Sequence, residues 1–147
     1  MDFDLLLRMA IYRHFAERAA APTLDDMAAE AARPREEIKE AYRRLYAKRL
    51  LVPMPDGEAI RMAPPFSGIE TQHRVRANGK EYFANCAWDS FGVAAALRAE
   101  GEVVSRCEQT REPLRVSLQG QAGPPLSEWR FHVAVPAVHW WRDIVYT

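Results

Sequence analysis

Pro64 and Pro65 stand side by side near the middle of the chain, directly after Ala63. Neither ring can donate to a sheet ladder or sit inside a helix, so no regular element runs through the pair. The apolar pattern also changes there. Before it, apolar residues recur every three or four positions; after it, short runs flanked by turn residues take over. A boundary between two lobes is expected at this point, with residues 1–63 on one side and 66–147 on the other.

In the first lobe, Leu6, Leu7, Ala10, Ile11 and Phe15 form the stripe of an amphipathic helix over Phe3–Ala19. Thr23, followed by Leu24, Asp25 and Asp26, reads as an N-cap with acidic residues in the first turn of a short second helix. A third helix is expected from Pro34 to Arg49, with Pro34 at its first position and Ile38, Ala41, Tyr42, Leu45 and Tyr46 on one face. Leu50-Leu51-Val52, the turn signal Asp56-Gly57, then Ile60 and Met62 complete a hairpin. Three helices and a hairpin in this order read as a winged-helix-like module.

The second lobe is read as short strands around one helix. Gln72–Arg76 and Glu81–Ala84 flank Asn78-Gly79, a pair that tolerates the positive φ of a tight hairpin. Ala87–Ala99 reads as a helix. Glu102–Arg106, Leu114–Leu118 and Arg130–Val135 are strand candidates, and His139–Thr147 reads as the opening of a further helix that the chain leaves uncapped. The fold class is therefore α+β, with mainly antiparallel strands in the second lobe.

Composition narrows the function. Twenty basic residues balance twenty acidic ones, which removes the long-range positive field that draws proteins to phosphates and argues against a nucleic-acid partner. No run is long and apolar enough for a membrane span, and Met1–Arg8 carries two aspartates where a signal peptide needs basic residues. A cytoplasmic location is expected, with Cys86 and Cys107 as reduced thiols rather than a disulfide.

Cys86 lies at a strand-to-helix junction, where backbone N–H groups and the helix dipole are expected to lower a thiol pKa. Asp89, three residues on, can return its carboxyl group to the same helix end. On the residues alone, a small buried thiol beside an aspartate that complements the helix dipole is the favoured reading of the pair.

Tyr82-Phe83-Ala84-Asn85-Cys86-Ala87-Trp88-Asp89-Ser90 resembles the segment of alkylmercury lyases in which the first catalytic cysteine precedes the catalytic aspartate by three residues. Val103-Val104-Ser105-Arg106-Cys107, followed by Thr110, Pro113, Leu114 and Val116, is similar to the family's stretch around a structural cysteine. The N-terminal helices match the lobe that precedes the catalytic one in that family. The resemblance implies that Cys86 binds mercury as thiolate, that Asp89 protonates the mercury-bound carbon, and that Cys107 is structural. It also implies an organomercurial or another soft-metal compound as substrate, no organic cofactor, and mercury arriving only with the substrate. Trp88 and Phe91 are expected to supply apolar walls.

The same alignment places the family's second catalytic cysteine immediately after Thr147. Truncation and a selenocysteine codon read as a stop are two explanations, and either leaves this chain one catalytic thiol, with cleavage expected to be impaired. Two other readings fit the sequence. Cys86, Cys107, His132 and His139 are zinc-ligand types, but they lack a Cys-x-x-Cys pair. Arg35, Lys39, Arg43, Arg44, Lys48 and Arg49 give the third helix a basic face suited to a thiol-based, metal-responsive transcription regulator, diluted by Glu36, Glu37 and Glu40. His14 and His73 are expected to be surface or partly buried residues without special roles, and Trp129, Trp140 and Trp141 are read as core.

Overall fold

The computed structural model describes residues 2–118 and 130–146. Its elements run α1 (Phe3–Arg18), α2 (Leu24–Ala31), α3 (Arg35–Ala47), β1 (Val52–Pro53), β2 (Ile60–Ala63), β3 (Phe66–Ser67), β4 (Arg74–Ala77), β5 (Lys80–Phe83), α4 (Ala87–Leu97), β6 (Gly101–Arg106), β7 (Pro113–Leu118) and a 3-10 helix (Ala137–Arg142). Helices and antiparallel sheets are mixed, which gives the expected α+β class.

Local chemistry sets the helix limits. Asp2 caps α1 through its side chain, and the helix ends at Ala19 with φ 54°. At α2, Thr23 and Asp26 form a reciprocal capping box. The third helix departs from expectation at both ends: Pro34 stands outside it as the N-cap, and the helix stops at Ala47. Arg49, at φ 60°, has already left the helical region.

The basic face of α3 is turned to neighbours within the molecule. Arg35 pairs with Asp25 and Glu58, Lys39 with Glu58, and both Arg44 and Lys48 with Asp4. Asp4 is buried, and hydrogen bonding from Arg44 holds its carboxyl group below the usual range despite that burial.

β1, β2 and β3 form one antiparallel sheet; the other has the order β5-β4-β6-β7, also antiparallel. Asn78 and Gly79 take φ 52° and 70° in the β4–β5 turn, as the hairpin requires. Pro64 and Pro65 lie outside the ladders, as their chemistry demands, in the turn between the paired β2 and β3. A bridge from Phe66 to Ala84 then ties β3 to the end of the second sheet.

Phe66 sits where these parts meet. Its ring stacks on Phe15 at 5.2 Å and meets Tyr12 at 6.1 Å and Tyr82 at 6.0 Å. The two tyrosine hydroxyls donate in opposite senses across the same region, Tyr12 to the carbonyl of Pro64 at 2.6 Å and Tyr82 to the carbonyl of Ala16 at 2.8 Å. One buried cluster runs from Leu7, Ile11 and Phe15 through Tyr42 and Phe66 to Val75, Tyr82, Val93 and Val103.

Two further expectations are corrected. Arg130–Val135 forms no strand; Arg130 to Ala134 are exposed and unladdered. The final helix is a 3-10 turn that begins at Ala137 and ends at Arg142. Trp140 and Trp141 are half-buried rather than core, Trp140 donating to the carbonyl of Val135 and Trp141 meeting Tyr46, while Trp129 lies outside the described residues.

Truncating Phe66 removes contacts to α1 and to β5 at once. Phe66→Ala is expected to lower unfolding free energy by about 3–5 kcal/mol in denaturant titration. A loss below about 1 kcal/mol, the range of ordinary surface changes, would show that the ring is not the junction of the two sheets.

Candidate active site

Cys86 is the N-cap of α4, with extended backbone (φ −150°, ψ 177°) as the chain leaves β5. Its Sγ accepts from the backbone N–H of Asp89 at 3.4 Å, as a capping oxygen does in other helices. Thiol and aspartate thus share one helix end, as their spacing suggests. Below them α4 buries Ser90, Val93 and Ala94, and Gly92 lies against the diproline turn. A Cβ on Gly92 would stand 3.0 Å from the Cβ of Pro65, so α4 approaches this turn at a distance that a larger residue would increase.

The electrostatics of Cys86 run opposite to the sequence expectation. Burial pushes the thiol above its ordinary value, and the Asp89 carboxylate adds to the rise. Hydrogen bonds from the N–H groups of Asp89 and Trp88 pull the other way and do not prevail. Asp89 is itself pushed up, again by burial, against a hydrogen bond from Asn85. Two weak acids therefore stand together, each favouring its protonated form more than it would in water.

Asn85 is the residue whose role the spacing argument missed. Its Nδ2 donates to Asp89 Oδ2 at 2.9 Å and reaches the carbonyls of Phe66 and Pro65 at 3.2 and 3.3 Å. A polar residue directly before the cysteine was the available signal, but its two backbone acceptors come from nineteen and twenty residues upstream and cannot be read locally.

Trp88 and Phe91 do supply apolar surface, and they share it with Phe131. The Phe131 ring meets them edge-on at 5.3 and 5.8 Å. Trp88 remains 62% exposed, so this wall is open on its outer side.

Cys107 stands apart from this site, at the start of the β6–β7 connection. Its N–H donates to the Glu112 carbonyl at 2.8 Å, its carbonyl accepts from Arg111 at 2.9 Å, and its Sγ accepts from the Thr110 N–H at 3.5 Å. Hydrogen bonding by Thr110 holds its pKa below the ordinary thiol value. The more acidic cysteine is thus the one in the turn. Both cysteines are free.

Among the described residues, no three His, Cys, Asp or Glu side chains gather to hold a metal ion. Cys86, Cys107, His132 and His139 therefore do not make the tetrahedral centre their types allow: Cys86 opens α4, Cys107 opens a hairpin turn, His132 lies on the exposed segment and His139 in the 3-10 helix. His73 precedes β4 rather than lying in a strand. It is half-buried, its Nδ1 is 2.7 Å from Ser105 Oγ, and burial lowers its pKa.

The raised thiol pKa makes a testable rate. At pH 7 iodoacetamide is expected to label Cys107 faster than Cys86, and labelling of Cys86 should climb with pH beyond the range of a free thiol. Asp89→Asn removes the adjacent negative charge and should speed alkylation of Cys86 at neutral pH. Slower or unchanged labelling in that variant would refute the coupling, as read by peptide mass spectrometry over a pH series.

The alkylmercury lyase family profile matches residues 66–147, more than half of the chain. Alkylmercury lyases of Bacillus cereus and Clostridium butyricum are each 27% identical over 97 residues, covering 66% of this chain and 42% of theirs. That of Staphylococcus epidermidis is 26% identical over 96 residues, covering 65% and 42%. The match thus spans about two fifths of these relatives' length. Among solved structures, the mercury-bound form of MerB2 superposes with a TM-score of 0.61 at 23% identity, over 83% of this chain and 65% of that one, which shows a shared fold. The chain belongs to the alkylmercury lyase family.

Proposed function

We propose that this chain captures organomercurials at Cys86 and cleaves their carbon–mercury bond with a proton delivered by Asp89. The observation that carries the reading is the placement of a thiol and a half-buried carboxyl group at one helix end, both with raised pKa values. Mercury is soft and prefers sulfur, so it displaces the thiol proton and forms an S–Hg bond. The neighbouring carboxylate of Asp89 is the base that takes this proton. Sulfur then donates electron density through mercury to the attached carbon, and the Asp89 acid returns the proton to it. The C–Hg bond breaks, its electron pair forms the new C–H bond, and the hydrocarbon leaves. Mercury stays on Cys86, with a second soft ligand supplied by another thiol.

The raised pKa values suit this sequence. A thiol whose pKa was held low would have lost its proton to solvent before substrate arrived; here burial keeps the proton on the sulfur beside its acceptor. Burial makes Asp89 a stronger holder of that proton than an exposed aspartate. No organic cofactor is needed. The aromatic wall of Trp88, Phe91 and Phe131 favours substrates with an apolar organic group.

Cys107 is proposed as structural, since its sulfur and backbone close the β6–β7 turn. Its more acidic thiol will nevertheless also take up a mercurial, so binding alone does not report on Cys86. The regulator reading loses support from the ion pairs that occupy Arg35, Lys39, Arg44 and Lys48. No described helix is long and apolar enough to cross a membrane, and two free thiols fit a reducing compartment such as the cytoplasm.

The test is hydrocarbon release from phenylmercury, with a small thiol as second ligand, measured in the headspace. Asp89→Asn should retain the mercurial on Cys86 and release benzene about 100- to 10,000-fold more slowly. Cys86→Ser should retain a mercurial only at Cys107 and release none above background. Release from Asp89→Asn at the parent's rate would remove Asp89 from the reaction.

A further inference from the structure

Asn85 has two amide hydrogens and three acceptors: the carbonyls of Pro65 and Phe66 and the carboxylate of Asp89. The two backbone carbonyls fix which end of the amide faces the acid. Turned over, it would set its oxygen against three other oxygens. The observed orientation leaves Asn85 Oδ1 buried with no hydrogen-bond partner in the described structure. Buried polar atoms are seldom left this way, and the exceptions call for a reason. Filling the space between strand and helix is not one, because an apolar residue would fill it without stranding an acceptor.

We infer that Asn85 is a positioning residue that ties the Asp89 carboxyl group to the 64–66 turn and so fixes it at the helix end beside Cys86. This rests on the reading of Asp89 as the proton carrier. Two amide hydrogens are divided among three acceptors, so the two backbone carbonyls orient the amide and the carboxylate is held by a hydrogen it shares with them. A sole donor would hold the carboxylate more tightly and oppose its protonation more strongly; no donor would leave the side chain unfixed.

The surroundings leave few other influences on this group. Cys86 is the titratable side chain that faces Asp89 from the same helix end, and the turn packed against it, Pro64-Pro65-Phe66, contributes carbonyls and no charge. In keeping with this, Asn85 is the group that opposes the upward pull of burial on Asp89.

The experiment is a titration of the full chain labelled with carboxyl-13C aspartate, with Asp89 assigned by its asparagine variant. Asn85→Ala is expected to raise the Asp89 pKa by about one unit, the scale of one hydrogen bond to a charged group. Tyr12→Phe cuts the other side-chain bond to the same turn and is expected to leave the pKa unchanged. No shift in Asn85→Ala, or an equal shift in both variants, would overturn the inference. If the alanine variant does not fold, Asn85→Ser, whose shorter side chain cannot span to Asp89, gives the same readings. The titration uses no mercurial, so its failure is separate from failure of the lyase reading. In the hydrocarbon-release assay, the acidic limb of the pH–rate profile should move upward with the titrated pKa in the Asn85 variant and stay in place for Tyr12→Phe.

Discussion

Burial of the Phe66 ring among Tyr12, Phe15 and Tyr82 is the contact on which the two halves of the molecule depend. The rings bring α1, β3 and β5 to one point, and the bonds from Tyr12 to Pro64 and from Tyr82 to Ala16 fix their relative height. The turn carrying Phe66 then presents two carbonyls to Asn85 and a proline face to Gly92. The helix that begins at Cys86 is thus set against the β2–β3 turn and does not hang from the second sheet alone. Apolar packing at the centre becomes geometry at the site.

At that site, burial outweighs the helix end. The dipole and the two N–H donors stabilise a thiolate, but an end effect of this kind is worth only about 0.3–1 kcal/mol in ordinary settings. Desolvation together with the Asp89 charge acts in the other direction and is larger. The cysteine therefore differs from the activated thiols found at many helix starts, which meet substrate already ionised. In the proposed reaction its proton passes to the carboxylate beside it, which suits a second half that consumes a proton. Cys107 shows the contrast within the same chain: hydrogen bonds to its sulfur in a turn make it the more acidic thiol.

Much of this was legible in the sequence where it is local. The Thr23 N-cap, the Asn78-Gly79 turn and the junction at Cys86 each depend on residues within four positions, and the structure holds all three. The diproline was rightly kept out of regular structure, yet no periodicity could show that it turns β2 into β3 and supplies acceptors to a residue twenty positions on. The direction of the Cys86 pKa was misjudged for the same reason: helix position is local, but burial is a property of the assembled core. Arg130–Val135 carries alternating apolar residues suited to a strand, and without a ladder partner among the described residues that propensity is not expressed. The basic face of α3 looked available because its partners Asp4, Asp25 and Glu58 come from three other segments.

The claim that Cys86 and Asp89 act as one site, where thiol capture and proton return are joined, is tested most directly by the fate of mercury at the two cysteines of a single protein. After incubation with phenylmercury at limiting free thiol, peptide mass spectrometry is expected to find mercury without its phenyl group on the Cys86 peptide. The intact phenylmercury adduct is expected on the Cys107 peptide. The same intact adduct on both would contradict the account.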